Sequence, residues 1–203
     1  MDRNIEIEIR GPLTKKSFDN LVGLFERDGK KVAEKDRVLI DYSTFLEGGV
    51  EKRKKDIRLR VTNGNPEIIL KIGEWGGAEN RKELSIFTKS DFDTLVEMFG
   101  ELGFVKGMLC VRKSKVYEYQ GIEFALVEVP GHSYYYEAEK MTLSSDNHTK
   151  ITEEIQAVCK KLGLEIFNQK QFFDYINRLN KKANEIFDYN TYTPGYFKNR
   201  FGV

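Results

Sequence analysis

One stretch near the start limits the fold more than any other. Asn4-Ile5-Glu6-Ile7-Glu8-Ile9-Arg10 alternates strictly, with Ile5, Ile7 and Ile9 on one face and Glu6, Glu8 and Arg10 on the other. A period of two is that of a β-strand, because successive side chains point to opposite faces. The apolar face must pack against another layer. On a single strand, a charged second face is most simply solvated surface. It gains meaning only if other strands repeat the split.

They do. Over residues 36–45, Val38, Ile40 and Tyr42 alternate with Leu39, Asp41 and Ser43. Ile57, Leu59 and Val61 oppose Arg58 and Arg60, and Asn63-Gly64 then signals a hairpin. The return strand sets Ile68, Leu70 and Ile72 against Lys71, and the next sets Leu84 and Ile86 against Arg81, Glu83 and Ser85. Residues 105–119 read as a long strand with Arg112, Lys113 and Lys115. Gln120-Gly121 turns it into Ile122–Val129, and Pro130-Gly131 turns again into Tyr134–Met141, where Glu137 and Glu139 share a face.

Helical spacing appears between and after the strands. Thr14 is placed to cap a helix buried through Phe18, Leu21, Val22 and Phe25, and Ser90 one through Phe92, Leu95, Val96 and Phe99. From Ser145, Ile151, Ile155, Val158 and Leu162 predict a third, closed by Gly163, and Gln169–Ile186 reads as a fourth. The chain divides at about residue 177, leaving 178–203 as the end of that helix and a tail with Tyr189, Tyr192, Tyr196, Phe197 and Phe201. Such an aromatic tail would be a liability if exposed, so it is expected to pack over the domain or a partner.

Charge balance narrows the function. With 33 basic and 32 acidic residues, the net charge is +1, unlike that of a protein that coats nucleic acid. Glu51-Lys52-Arg53-Lys54-Lys55 reads as a solvated loop. No apolar run approaches the length of a membrane span. The N-terminus leads straight into a strand and does not resemble a signal peptide. Cys110 and Cys159 lack metal-ligand spacing and read as reduced thiols, so a cytoplasmic setting is expected. His132 and His148 are too far apart to suggest a zinc site.

If the charged faces converge, the sheet closes around a charged lumen and its apolar faces lie outward, under the helices. That inverts the usual small barrel. The chemistry it suits is specific: arginine and lysine hold phosphate oxygens, and carboxylates hold a hard divalent cation.

Glu6-x-Glu8-x-Arg10 resembles the ExExK signature of the CYTH family, the triphosphate tunnel metalloenzymes. Arg58-x-Arg60, Lys71, Arg81-x-Glu83, a basic strand at Arg112 and Glu137-x-Glu139 follow in the family's order, over residues 4–142. The resemblance implies an α+β protein: a closed antiparallel eight-stranded β-barrel, a tunnel with a charged lumen, flanked by helices, over residues 1–177. It implies Glu6, Glu8, Glu137 and Glu139 as ligands of Mg²⁺ or Mn²⁺, with Glu6 and Glu8 catalytic. Arg10, Arg58, Arg60, Lys71, Arg81 and Arg112 would bind phosphate, with Glu83 in support.

The implied activity is metal-dependent hydrolysis of tripolyphosphate, thiamine triphosphate or a nucleoside triphosphate. The alternatives are a class IV-type adenylate cyclase, which makes cyclic AMP and pyrophosphate from ATP, and a non-catalytic module that binds triphosphate or polyphosphate. The partner expected is a small-molecule triphosphate, with no nucleic acid and no membrane; a homodimer stays open. The chain departs from the family pattern at Ser85, Ser114 and Val127, where an acid, a base and an acid are usual, and in having Arg10 for lysine and Gly131-His132-Ser133 as a turn.

Overall fold

The computed structural model describes residues 5–46, 54–73, 78–142 and 147–203. The Gly48-Gly49 turn, residues 51–53 of the basic loop, Gly76-Gly77 and Ser145 lie outside the described residues.

In chain order the elements are β1 (Ile5–Leu13), α1 (Lys15–Asp28), β2 (Lys30–Asp41), α2 (Ser43–Leu46), β3 (Lys55–Thr62), β4 (Asn65–Ile72), β5 (Ala78–Phe87) and α3 (Phe92–Glu101). Then come β6 (Lys106–Tyr119), β7 (Ile122–Val129), β8 (Ser133–Thr142), α4 (His148–Lys161), α5 (Gln169–Lys182), β9 (Glu185–Asp188) and α6 (Tyr196–Phe201). The sheet runs β2-β3-β4-β5-β1-β8-β7-β6, and β2 pairs back onto β6, closing an eight-stranded antiparallel barrel. The expected barrel is therefore present. β9 is added to the free edge at the start of β6, where Met108 faces Ile186.

Turn chemistry sets the registers. Asn63 and Gly64 take positive φ of 49° and 79°, so the β3–β4 hairpin pairs Thr62 with Asn65. Gln120 and Gly121 do the same between β6 and β7, at 52° and 72°. With register fixed, parity decides which side chains enter the barrel. The outward apolar faces are covered on two sides. Ile7, Ile9, Phe124 and Tyr136 pack under α1 and α4 with Phe25, Ile155 and Cys159. Ile40, Leu59 and Val61 pack with Phe92, Val96 and Phe99 of α3.

Three local expectations change. The strand expected over residues 36–45 starts at Lys30 and stops at Asp41, because Asp41 accepts from the Ser43 amide and turns the chain into α2. Asp91, not Ser90, caps α3, accepting from the Thr94 amide at 2.8 Å. The helix expected over Gln169–Ile186 ends at Lys182, since Glu185–Asp188 gains β6 as a partner.

The aromatic tail packs on the barrel. Phe197 is fully buried, edge-on to Phe92 with ring centroids 4.9 Å apart, and Asp93 accepts from the Phe197 and Lys198 amides. Tyr189 lies so close to α3 that a Cβ on Gly100 would stand 2.4 Å from its ring. Gly100→Ala is therefore expected to destabilise the protein by about 1–3 kcal/mol, the range for overpacked contacts. Urea unfolding checks this; an unchanged midpoint would mean that the tail does not dock here.

Candidate active site

The barrel encloses a cavity of about 490 Å³. It is lined by Glu6, Glu8, Arg10, Arg58, Arg60, Lys71, Glu83, Arg112, Glu137 and Glu139, which is every residue singled out from the motifs except Arg81. Arg81 belongs to the wall behind it, 2% exposed, donating to Asp56 at 3.0 Å.

β1 and β8 build the acidic wall, with Glu8 opposite Glu139 and Arg10 opposite Glu137 in register. Glu6, Glu8 and Glu139 each offer a carboxylate oxygen, all within 4.8 Å of one another. Glu137 stands outside this group and accepts from Arg10 Nε at 3.1 Å. Arg10 also donates through Nη2 to Glu8 at 2.7 Å, and its guanidinium lies 5.1 Å from the Phe172 ring centroid.

Lys71 crosses from β4 to Glu6 at 2.9 Å and to Glu83 at 2.9 Å. Burial alone would raise the Glu6 carboxyl, but Lys71 holds it at about 2. Among the described residues, Glu139 makes no ion pair with a cation. Burial, with the carboxylates of Glu6, Glu137 and Glu123, pushes it up to about 8. Glu137 is opposed by burial too, yet Arg10, Arg37 and Lys71 hold it below the usual carboxylate range.

These carboxylates fit a divalent cation. Oxygens sharing one Mg²⁺ at about 2.1 Å stand at most about 4.2 Å apart, so small side-chain rotations would gather the three. The crowding that raises Glu139 is what a cation between them would relieve.

The facing walls are basic. Arg60 donates to Glu67 at 2.6 Å, and Ser85 Oγ holds the other Glu67 oxygen at 2.9 Å. Arg58 makes two hydrogen bonds to Asp56, so one buried carboxylate serves both Arg58 and Arg81. Arg112 donates to the Val111 carbonyl and, at 2.9 Å, to Asn184 Oδ1. α5 spans one mouth of the barrel. The Phe167 amide anchors its approach on the Arg10 carbonyl at 2.9 Å, and Phe172, Tyr175, Ile176 and Asn180 face the cavity.

Four site residues were not singled out from sequence. Lys35 and Arg37 of β2 line the cavity, while Asp56 and Glu67 hold its arginines. Lys35 and Arg37 share the inward face of Leu39 and Asp41.

No family model matches the chain, and no curated protein sequence does. Solved structures do. The PH1819 protein of Pyrococcus horikoshii superposes with a TM-score of 0.68 at 19% identity, over 85% of this chain and 98% of that one. A candidate adenylate cyclase of Vibrio parahaemolyticus gives 0.60 at 15% identity, covering 79% and 90%. HpAC1 of Hippeastrum, a candidate adenylyl cyclase described as having a dominant triphosphatase activity, gives 0.52 at 14% identity, covering 81% and 90%. At these identities the likeness is one of fold. In the described residues, no helix is long and apolar enough to cross a membrane. With its closed eight-stranded barrel and inward-facing motif residues, the chain has the triphosphate-tunnel fold of the CYTH family.

Proposed function

We propose that this chain hydrolyses a small triphosphate with a divalent cation, Mg²⁺ or Mn²⁺. One observation carries the reading: a three-carboxylate group and a wall of guanidinium and ammonium groups face each other across one cavity. The volume, about 490 Å³, is within the range of small-molecule sites. HpAC1, whose described activity is dominantly triphosphatase, has the same fold and supports the choice of reaction.

Glu6, Glu8 and Glu139 would hold the cation. Once bound, it would supply charge neutralisation on the phosphate oxygens and a more acidic water. The remaining work falls to the chain's own residues. Arg60, Lys71 and Arg112 orient the phosphate chain and stabilise the charge that develops as the anhydride bond breaks. Glu67 and Asp56 keep the arginines pointed inward, so little reorganisation remains when substrate enters. Phe172 and α5 limit water at their mouth of the barrel.

The direct test is phosphate release from tripolyphosphate, ATP and thiamine triphosphate, with Mg²⁺, with Mn²⁺ and with EDTA. Turnover of at least one, only with cation, is expected; no turnover of any would falsify the reading. Cyclic AMP and pyrophosphate from ATP would identify a cyclase instead. Arg60→Ala is expected to raise KM about tenfold with a smaller change in kcat, as for a lost phosphate contact. Unchanged KM for the best substrate would remove Arg60 from the binding wall.

A further inference from the structure

The cations around the lumen are not equally occupied. Arg10, Arg58, Arg60, Lys71 and Arg81 each have a carboxylate within 3.1 Å. Arg112 leans on neutral acceptors. Arg37 and Lys35 have neither: among the described residues, no hydrogen bond or ion pair is made by either side chain. Among the described residues, Arg37 Nε and Ser114 Oγ are buried without a hydrogen-bond partner.

These groups are neighbours by register. On the β2–β6 seam, Lys35 stands opposite Ser114 and Arg37 opposite Arg112. Like charges placed across a sheet repel. The other groups acting on Arg37 are Arg60, Glu137, Tyr135 and Glu67. Both acids are already engaged, Glu67 by Arg60 and Glu137 by Arg10. Burial and Arg60 together push the Arg37 guanidinium below its ordinary value. A buried donor without an acceptor, beside like charges, lowers the stability of the free protein. Such local conflict is characteristic of a binding site, where a ligand offsets it.

Around the closed ring, β2 stands four strands from β1 in either direction, so it is directly across the barrel. Lys35 and Arg37 therefore face Glu6 and Glu8 of β1 across the barrel, and Ser114 stands beside them on β6.

We infer that Arg37, Lys35 and Ser114 form an oxyanion subsite that receives the phosphoryl group at the end of the substrate farther from the carboxylate wall. The inference rests on the triphosphate reading above for the identity of the anion. It gives β2 a role in binding, with Ser114 as a neutral donor between two cations.

The test measures tripolyphosphate binding by calorimetry in EDTA, and melting temperature without ligand, for wild type, Arg37→Gln, Arg37→Lys and Ser114→Ala. Arg37→Gln is expected to weaken binding at least tenfold, with Arg37→Lys intermediate and Ser114→Ala weakened less. Its ligand-free melting temperature should hold or rise, because a repelled charge is removed. Affinity for Mn²⁺ alone should stay within twofold. Wild-type-like binding by Arg37→Gln overturns the subsite and leaves the triphosphate reading standing. A fall in its ligand-free melting temperature marks a structural arginine and also overturns it. No binding by wild type removes both readings. Weakened binding by Arg37→Gln in a protein that turns over no triphosphate keeps the subsite and removes the hydrolase.

Discussion

Glu6→Gln is expected to lower metal-dependent turnover by about 100-fold or more, equivalent to about 2.7 kcal/mol of transition-state stabilisation. The substitution removes a charge at nearly constant shape. Lys71 keeps the Glu6 carboxyl ionised, so it is available as a hard anionic ligand at any ordinary pH. Glutamine fills the same space but supplies only a neutral oxygen, a much poorer ligand for Mg²⁺ or Mn²⁺. The fold should tolerate the change, because Lys71 retains Glu83 at 2.9 Å. Phosphate release across a Mn²⁺ titration, beside a thermal melt, separates the two effects. Normal turnover in a folded Glu6→Gln protein would show that the carboxylate group is not the cation site.

The largest stability effect is expected at Asp56. This residue is 1% exposed and neutralises two guanidiniums, those of Arg58 and of the 2% exposed Arg81. Burial would lower the Arg58 pKa, and the carboxylates of Asp56 and Asp41 override it. Asp56→Asn leaves those cations buried with one less negative charge between them. Breaking a buried pair in this way costs about 3–5 kcal/mol. Urea unfolding of Asp56→Asn should show that loss, and a shift below about 1 kcal/mol would mean that the two arginines find other acceptors.

The strands and their inward charges were legible where one face was apolar. β1, β3 and β8 each place isoleucine, leucine or alanine against charge, so period and face could be read together. The first half of β2 was not legible for a physical reason. Glu34 and Asp36 lie on one face while Lys35 and Arg37 lie on the other, so charge occupies both and no amphipathic split appears. An irregularity between Lys31 and Ala33 also shifts the parity. Asp56 and Glu67 are each a lone acid near the start of a strand: Asp56 reaches Arg58 two residues along its own strand, and only the β3–β4 register shows that Glu67 meets Arg60. β9 is four residues long and depends on the edge of β6, which no local pattern reveals. Three of the departures fall within the site: Ser85 steadies Glu67, Ser114 carries an unengaged hydroxyl, and Val127 lines the cavity on β7, between Ser114 and the Glu137–Glu139 strand.

The central claim is that two opposed walls act on one ligand. A crystal structure with Mn²⁺ and tripolyphosphate tests it most directly. The account predicts an anomalous manganese peak among Glu6, Glu8 and Glu139, with the phosphate chain running from it toward Arg60 and Arg37. Manganese bound away from those carboxylates, or tripolyphosphate bound outside the barrel, would contradict it.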